Sequence, residues 1–302
     1  MASLEERYQA AQPVLARLGR VDAAGAPLPS VVAEEIAPDL ARLIREACWG
    51  SLWTRPALTI EQRSLATISV ITVLRRDDNL KGHISSGLDV GLAPEQIVEI
   101  IIQLIFYAGA PIANTALRVA YDVFRERGIQ VQPYRVFDPA EDPDALYRRG
   151  LATRQRVMGD AIAAVWDSRD ETEAAWERYL LEYLWGSVWT RPGLDLQSRC
   201  LCTLSALTIV GTDPTLANLI GAALRLGLTQ AQIKELFLHL TFYTGIPPAR
   251  KALEIARQVF STEPLIPGPS PAGGEGRSVE GTPRLPTTGP GVVRQAHQER
   301  NL

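Results

Sequence analysis

Three histidines in 302 residues, His83, His239 and His297, leave few groups able to ligate a metal or move a proton near neutral pH. Cysteine is equally scarce, and Cys48, Cys200 and Cys202 fit neither a disulfide framework nor a C-x-x-C pair. Positive charge is not in excess. With 31 Lys+Arg against 34 Asp+Glu the formal net charge is -3, which argues against a basic surface for nucleic acid or a polybasic membrane patch. The longest apolar stretch, 97–113, is broken by Glu99 and Gln103 and falls short of the ~18 uninterrupted apolar residues of a membrane-spanning helix. The opening MASLEERYQA has no apolar signal core, so a soluble, cytoplasmic protein is expected.

What is present is a duplication. Residues 49–124 align with 185–260 at a constant offset of 136 without a gap, and about 32 of the 76 pairs are identical. WGSLWTRPAL at 49–58 returns as WGSVWTRPGL at 185–194, and IFYAGAPIA at 105–113 returns as TFYTGIPPA at 241–249. A period this long lies far above the solenoid range of about 20–50 residues, so each copy is a whole domain and the pair is expected to form a pseudo-symmetric dimer within one chain. The divisions that follow are 1–128 for the first domain, 129–143 for a connector rich in proline and acidic residues, 144–261 for the second domain and 262–302 for a tail.

Each copy reads as helices joined by short turns. Ile97, Ile100, Ile101, Leu104 and Ile105 recur at the spacing that gathers one stripe on a 3.6-residue helix, and Ile233, Leu236, Phe237 and Leu240 repeat it. Thr59 followed by Gln62 forms a capping box, Pro94 suits a first helical turn, and Gly91 and Gly227 close the preceding helices. The resulting all-α expectation places helices near 3–18, 30–50, 59–75, 78–90, 94–108 and 112–127, then 144–165, 170–187, 195–210, 214–226, 230–244 and 248–260. ISVITVL at 68–74 is β-branched, but its length and flanking turns favour helix. From Thr262 the chain is rich in Pro, Gly, Ser and Thr with little apolar residue to bury, so disorder is expected there, and His297 with it.

In order, the chain carries W-G-S-x-W-T-R-P-x-L, Arg63-Ser64-Leu65 in the following helix, R-R-D-D-N-L-K-G-H ending at His83, the G-L-A-P-E-Q turn, and Y-A-G-A-P-I-A-N. This succession resembles the carboxymuconolactone decarboxylase family of the alkylhydroperoxidase D-like superfamily, in both copies. The resemblance implies an all-helical fold, no cofactor in the decarboxylase branch, and a homo-oligomer, here a trimer of two-domain chains. The superfamily's peroxidase branch uses a C-x-x-C pair, with a glutamate one helix earlier and a histidine after it. The matching positions here are Ser64, Arg76, Asn79 and His83, so thiol peroxidase ranks last. The decarboxylase branch reads R-E-D-E-L-x-x-H, where this chain has Arg76-Asp77-Asp78-Asn79-Leu80-x-x-His83.

Decarboxylation leaves a carbanion that must be delocalised and then protonated, and in a lactone with a conjugated carbonyl the ring itself takes the electrons. His83 is the candidate acid or base. Asn79 lies one turn before it on the same helical face, and Asp77 stands in the turn ahead, placed to orient the imidazole. Arg63 and Arg76 are candidate anchors for substrate carboxylates, while Tyr107 and Asn114 flank the Gly-Ala-Pro turn expected to abut the His83 helix. In copy two Arg76, Asn79, His83 and Ser64 become Thr212, Thr215, Leu219 and Cys200, so its chemistry is expected to be lost. His239 sits beside the apolar stripe and reads as a packed histidine, and Cys200 and Cys202 as core thiols. Arg55 and Arg191, next to Pro56 and Pro192, read as packing and turn residues.

The function expected is a cofactor-independent carboxy-lyase acting on a small carboxylated lactone or related carbonyl acid, as in aromatic-compound catabolism. A lyase or isomerase of a biosynthetic pathway, and a non-catalytic assembly protein that kept the helical scaffold, are the alternatives.

Overall fold

The computed structural model describes residues 2–28, 35–160 and 170–262. The expected helical residues 30–34 and 161–165, the tail and His297 lie outside the described residues. Every regular element among the described residues is helical, and both copies fall in one compact unit.

Copy one comprises α1 (Leu4–Arg17), α2 (Pro38–Leu43) running on as a π-helical segment (Ile44–Leu52), α3 (Ile60–Val73), α4 (Asp77–Asp89), α5 (Pro94–Gln103), the single turn α6 (Ile105–Ala108) and α7 (Ala110–Glu126). Copy two repeats the order as α8 (Pro143–Met158), α9 (Glu171–Tyr179) with its π-helical continuation (Leu180–Val188), α10 (Leu196–Val210), α11 (Asp213–Arg225), α12 (Gln230–Thr244) and α13 (Ile246–Thr262). The caps behave as their residues dictate. Thr59 Oγ1 accepts from the Gln62 amide while Gln62 Oε1 accepts from the Thr59 amide, and Gly91 and Gly227 take left-handed φ of 103° and 93°.

Helices α3 and α10 pack against each other at the centre, and the β-branched run is helical because burial on nearly every face outweighs its propensity. The two π-helical segments are the main departure from the expected regular helices. The Trp53 and Trp189 amides donate to Cys48 O and Leu184 O five residues back, at 3.0 and 2.9 Å. Ser51 and Ser187 hydroxyls donate to the carbonyls of Glu46 and Glu182, again five residues back. Glycine at 50 is needed in this wide turn, because a Cβ there would overlap the Arg7 carbonyl oxygen of α1. The turn thus holds α1 close and aims Cys48 and Trp49 toward it.

A charged network joins the copies and obeys the pseudo-twofold. Arg55 Nε donates to both oxygens of Glu235 at 2.8 Å, and the fully buried Arg63 donates to Glu235 Oε1 at 2.9 Å and to the Arg55 carbonyl at 2.7 Å. On the other side Arg191 Nε is 3.0 and 2.9 Å from the Glu99 oxygens, and buried Arg199 donates to Glu99 and to the Arg191 carbonyl. The repeated R-P dipeptides therefore mark ion pairs that cross between copies.

Candidate active site

The site is a cavity of about 880 Å³ walled by both copies. His83 and Asn79 of α4, Trp49 and Cys48 of the π-helical segment, Arg20 beyond α1 and Arg76 ahead of α4 come from copy one, and Phe242 and Tyr243 of α12 come from copy two. His83 is mostly covered, and among the described residues neither ring nitrogen has a hydrogen-bond partner. Its ring stacks on Trp49 with centroids 6.3 Å apart and meets the Tyr243 ring edge-on at 5.6 Å. Burial, then the positive charge of Arg20, hold the imidazole well below its ordinary pKa, so it is neutral at neutral pH.

The cavity wall is cationic. Arg45 lies 4.1 Å above the Tyr8 ring and donates to Tyr8 Oη and Gln12 Oε1 at 3.1 and 2.9 Å, and Arg42 pairs with Glu46. Arg20 and Arg76 have no carboxylate within ion-pair distance among the described residues. The Tyr243 hydroxyl accepts from Trp53 Nε1 at 2.9 Å and lies 3.8 Å from Cys48 Sγ, and burial drives the phenol well above its usual pKa. The thiols of Cys48, Cys200 and Cys202 are each pushed up to about 12 by burial, so none carries the thiolate that peroxide reduction would need.

Of the residues singled out from sequence, the structure brings His83, Asn79 and Arg76 to one cavity. Arg63 is elsewhere: it is sealed in the inter-copy network with its guanidinium committed to Glu235, and has no surface to offer a carboxylate. Asp77 is exposed at the start of α4 and makes no hydrogen bond to His83, and Asn114 is exposed on α7 away from the cavity. Tyr107 is displaced by the pseudo-symmetry. It accepts from Trp189 Nε1 at 3.2 Å in the counterpart arrangement beside copy two, while its equivalent Tyr243 reaches across to His83. The exchange was readable only as a repeated F-Y dipeptide, since sequence alone cannot say which copy's tyrosine faces which histidine. Arg20, missed from sequence, lies ahead of the duplicated segment and belongs to no motif. In copy two Leu219 is buried where His83 faces the cavity.

His239 is fully buried, with Nε2 2.8 Å from Thr67 Oγ1 and Nδ1 3.4 Å from Arg63 Nη1. Facing a guanidinium, Nδ1 must accept, so Nε2 carries the hydrogen and donates to Thr67. Burial, then Arg63, lowers its pKa to about 3. Gln103, its counterpart in copy one, makes the same two bonds, accepting from Arg199 at 2.9 Å and donating to Thr203 at 3.2 Å. His239→Gln therefore keeps the network. The unfolded chain takes up a proton on His239 below about pH 6.5 and the folded chain does not until about pH 3, so this group's contribution is full above 6.5 and erodes as pH falls. The variant should resist acid better than wild type by on the order of 3 kcal/mol at pH 4 and equal it at pH 8, as read by urea unfolding. An unchanged difference between the two pH values would show that His239 is not held neutral.

An all-α tandem protein with one histidine-bearing, cation-walled cavity is the class that fold and site define. The chain belongs to the carboxymuconolactone decarboxylase family, which it matches at 38–122 and again at 174–258. It is similar to the 4-carboxymuconolactone decarboxylase of Acinetobacter baylyi, 30% identical over 122 residues that cover 40% of this chain and 91% of that protein. It is also similar to the nitrosuccinic acid decarboxylase of Metarhizium robertsii, 30% identical over 124 residues covering 39% and 86%. An uncharacterized 15.0 kDa protein of Paracoccus denitrificans is 36% identical over 86 residues, or 28% of this chain and 64% of its own length. The first two relatives each match about two-fifths of this chain and nearly all of their own length, as expected for single-copy proteins. Among the described residues no helix is long and apolar enough to cross a membrane, and no cluster of three or more His, Cys, Asp or Glu is placed to hold a metal.

Proposed function

We propose that the protein is a carboxy-lyase whose one working site, around His83, decarboxylates a small carboxylated lactone or related carbonyl acid. The observation that carries this reading is an imidazole with both nitrogens unbonded on the wall of a cavity that also presents two guanidinium groups without carboxylate partners. Such cations attract the carboxylates of a substrate, and the hydrophobic wall of Trp49, Ile71, Leu74 and Phe242 favours loss of a charged group as neutral CO2.

In the reaction the C–COO⁻ bond breaks, its electron pair moves into the conjugated carbonyl, and CO2 departs. A proton from His83 then joins the carbon, so each turnover consumes one proton from solvent. The imidazole is neutral before substrate binds, and an anionic substrate that offsets Arg20 raises its affinity for the proton it must deliver. The substrates in the names of the two decarboxylase relatives support the same chemistry, since a conjugated lactone and a nitro group are both electron acceptors for the departing carboxylate. Copy two supplies a wall to the site and no chemistry of its own.

The test is CO2 release from a panel holding 4-carboxymuconolactone, nitrosuccinate and larger carboxylated butenolides. Release from any member, abolished in His83→Ala, is the expected result. Release from none, or release that persists in His83→Ala, would remove the assignment and favour a scaffold whose ancestral chemistry is gone.

A further inference from the structure

Arg20 lies outside both family-matched segments, in the turn that follows α1. Its Nε donates to Ser86 Oγ at 2.9 Å, three residues beyond His83 on α4, and its guanidinium carbon stands 5.2 Å from the centre of the Trp49 ring on which His83 also stacks. Its Nη2 is 3.5 Å from the point a Cβ would occupy on Gly82, the residue before His83. Neither Nη1 nor Nη2 makes a hydrogen bond to a described residue. Burial lowers its pKa, with Tyr243 and Cys48 opposing, and no carboxylate is among the causes. A largely desolvated guanidinium held by one serine and left without a counter-ion is a costly arrangement unless a ligand completes it.

We propose that Arg20 is the anchor for a carboxylate of the substrate, binding it through Nη1 and Nη2 against the open edge of His83, and that the site accordingly selects dicarboxylates over monocarboxylates, with Arg76 meeting the second charge. This rests on the reading of the cavity as a substrate site and specifies its ligand. The guanidinium fork matches a carboxylate in two parallel hydrogen bonds, which fixes the direction in which the adjoining carbon faces the imidazole. Arg20 therefore acts both as a binding group and, after burial, as a cause of the low proton affinity of His83, which a bound anion offsets.

Calorimetry with succinate, an unreactive dicarboxylate, tests it apart from any turnover. Wild type should bind succinate with uptake of a proton and bind its monomethyl ester about 10-fold more weakly, and Arg20→Gln should weaken succinate about 10- to 100-fold while removing the preference over the ester. Arg20→Lys should recover part of the affinity, as a point charge without the fork, and guards against loss through misfolding. In wild type the His83 ring, followed by NMR, should titrate at higher pH with succinate than without, and in Arg20→Gln it should not move. Equal succinate affinity in wild type and Arg20→Gln, no binding by wild type, or no discrimination against the ester would each overturn the proposal. Succinate binding that depends on Arg20 alongside no CO2 release from the whole panel would keep the anion site and sink the carboxy-lyase.

Discussion

His83→Ala should lower kcat on a decarboxylated substrate by about 10²- to 10⁴-fold, the span typical of losing one proton-transfer group, while KM changes by much less. The separation is expected because the carboxylates are held by guanidinium groups and the imidazole acts only as carbon is protonated. The pH profile carries more information than the size of the loss. Free His83 has its pKa well below 6.5, and the proton-bearing form is the one that works, so kcat/KM should fall about tenfold per pH unit through neutrality. kcat should stay level to higher pH, because the bound anion raises the pKa in the complex. In His83→Ala both slopes should vanish, and added imidazole should restore part of the rate through the space left beside Trp49. A kcat/KM that stays level through the same pH range would show a neutral imidazole acting as base instead.

Glu235→Ala should destabilise the folded chain by about 3–5 kcal/mol, read as a shift in the urea midpoint. Glu235 is almost fully buried and serves two arginines of the other copy, of which Arg63 has no exposed surface and no other acidic partner among the described residues. Removing the carboxylate leaves that guanidinium buried and unpaired, which costs more than the intact pair contributes. Arg55, with its side chain about half exposed, should add little to the loss. By pseudo-symmetry Glu99→Ala should cost a similar amount through Arg199 and Arg191, and a large difference between the two would mean that the copies do not share the load. Activity should fall in Glu235→Ala beyond what stability explains, because Glu235 and Tyr243 sit on the same helix and Tyr243 is a wall of the site.

The helices were legible because their signals are local. The capping box at Thr59 and Gln62, the stripe from Ile97 to Ile105 and the glycines at 91 and 227 each act within a turn or two of chain. The π-helical segments were not legible, since they arise from α1 pressing on Gly50 and Leu146 on Gly186, contacts between residues more than 35 positions apart. The same limit explains the site. Asn79 and His83 share a face through helical spacing, whereas Arg63 looked like a free cation because nothing in sequence shows that Glu235, 172 residues away, neutralises it. Arg20 had no motif to reveal it.

Duplication, helical periodicity and the lone histidine of the first copy are properties of residue order, and order alone determined them. Which tyrosine meets that histidine, which arginine is sealed and which is left without a counter-ion were decided only when α12 of copy two packed against α3 and the π-helical segment of copy one. The physical reason is that a charge becomes expensive or useful according to what covers it, and covering is done by segments distant in the chain.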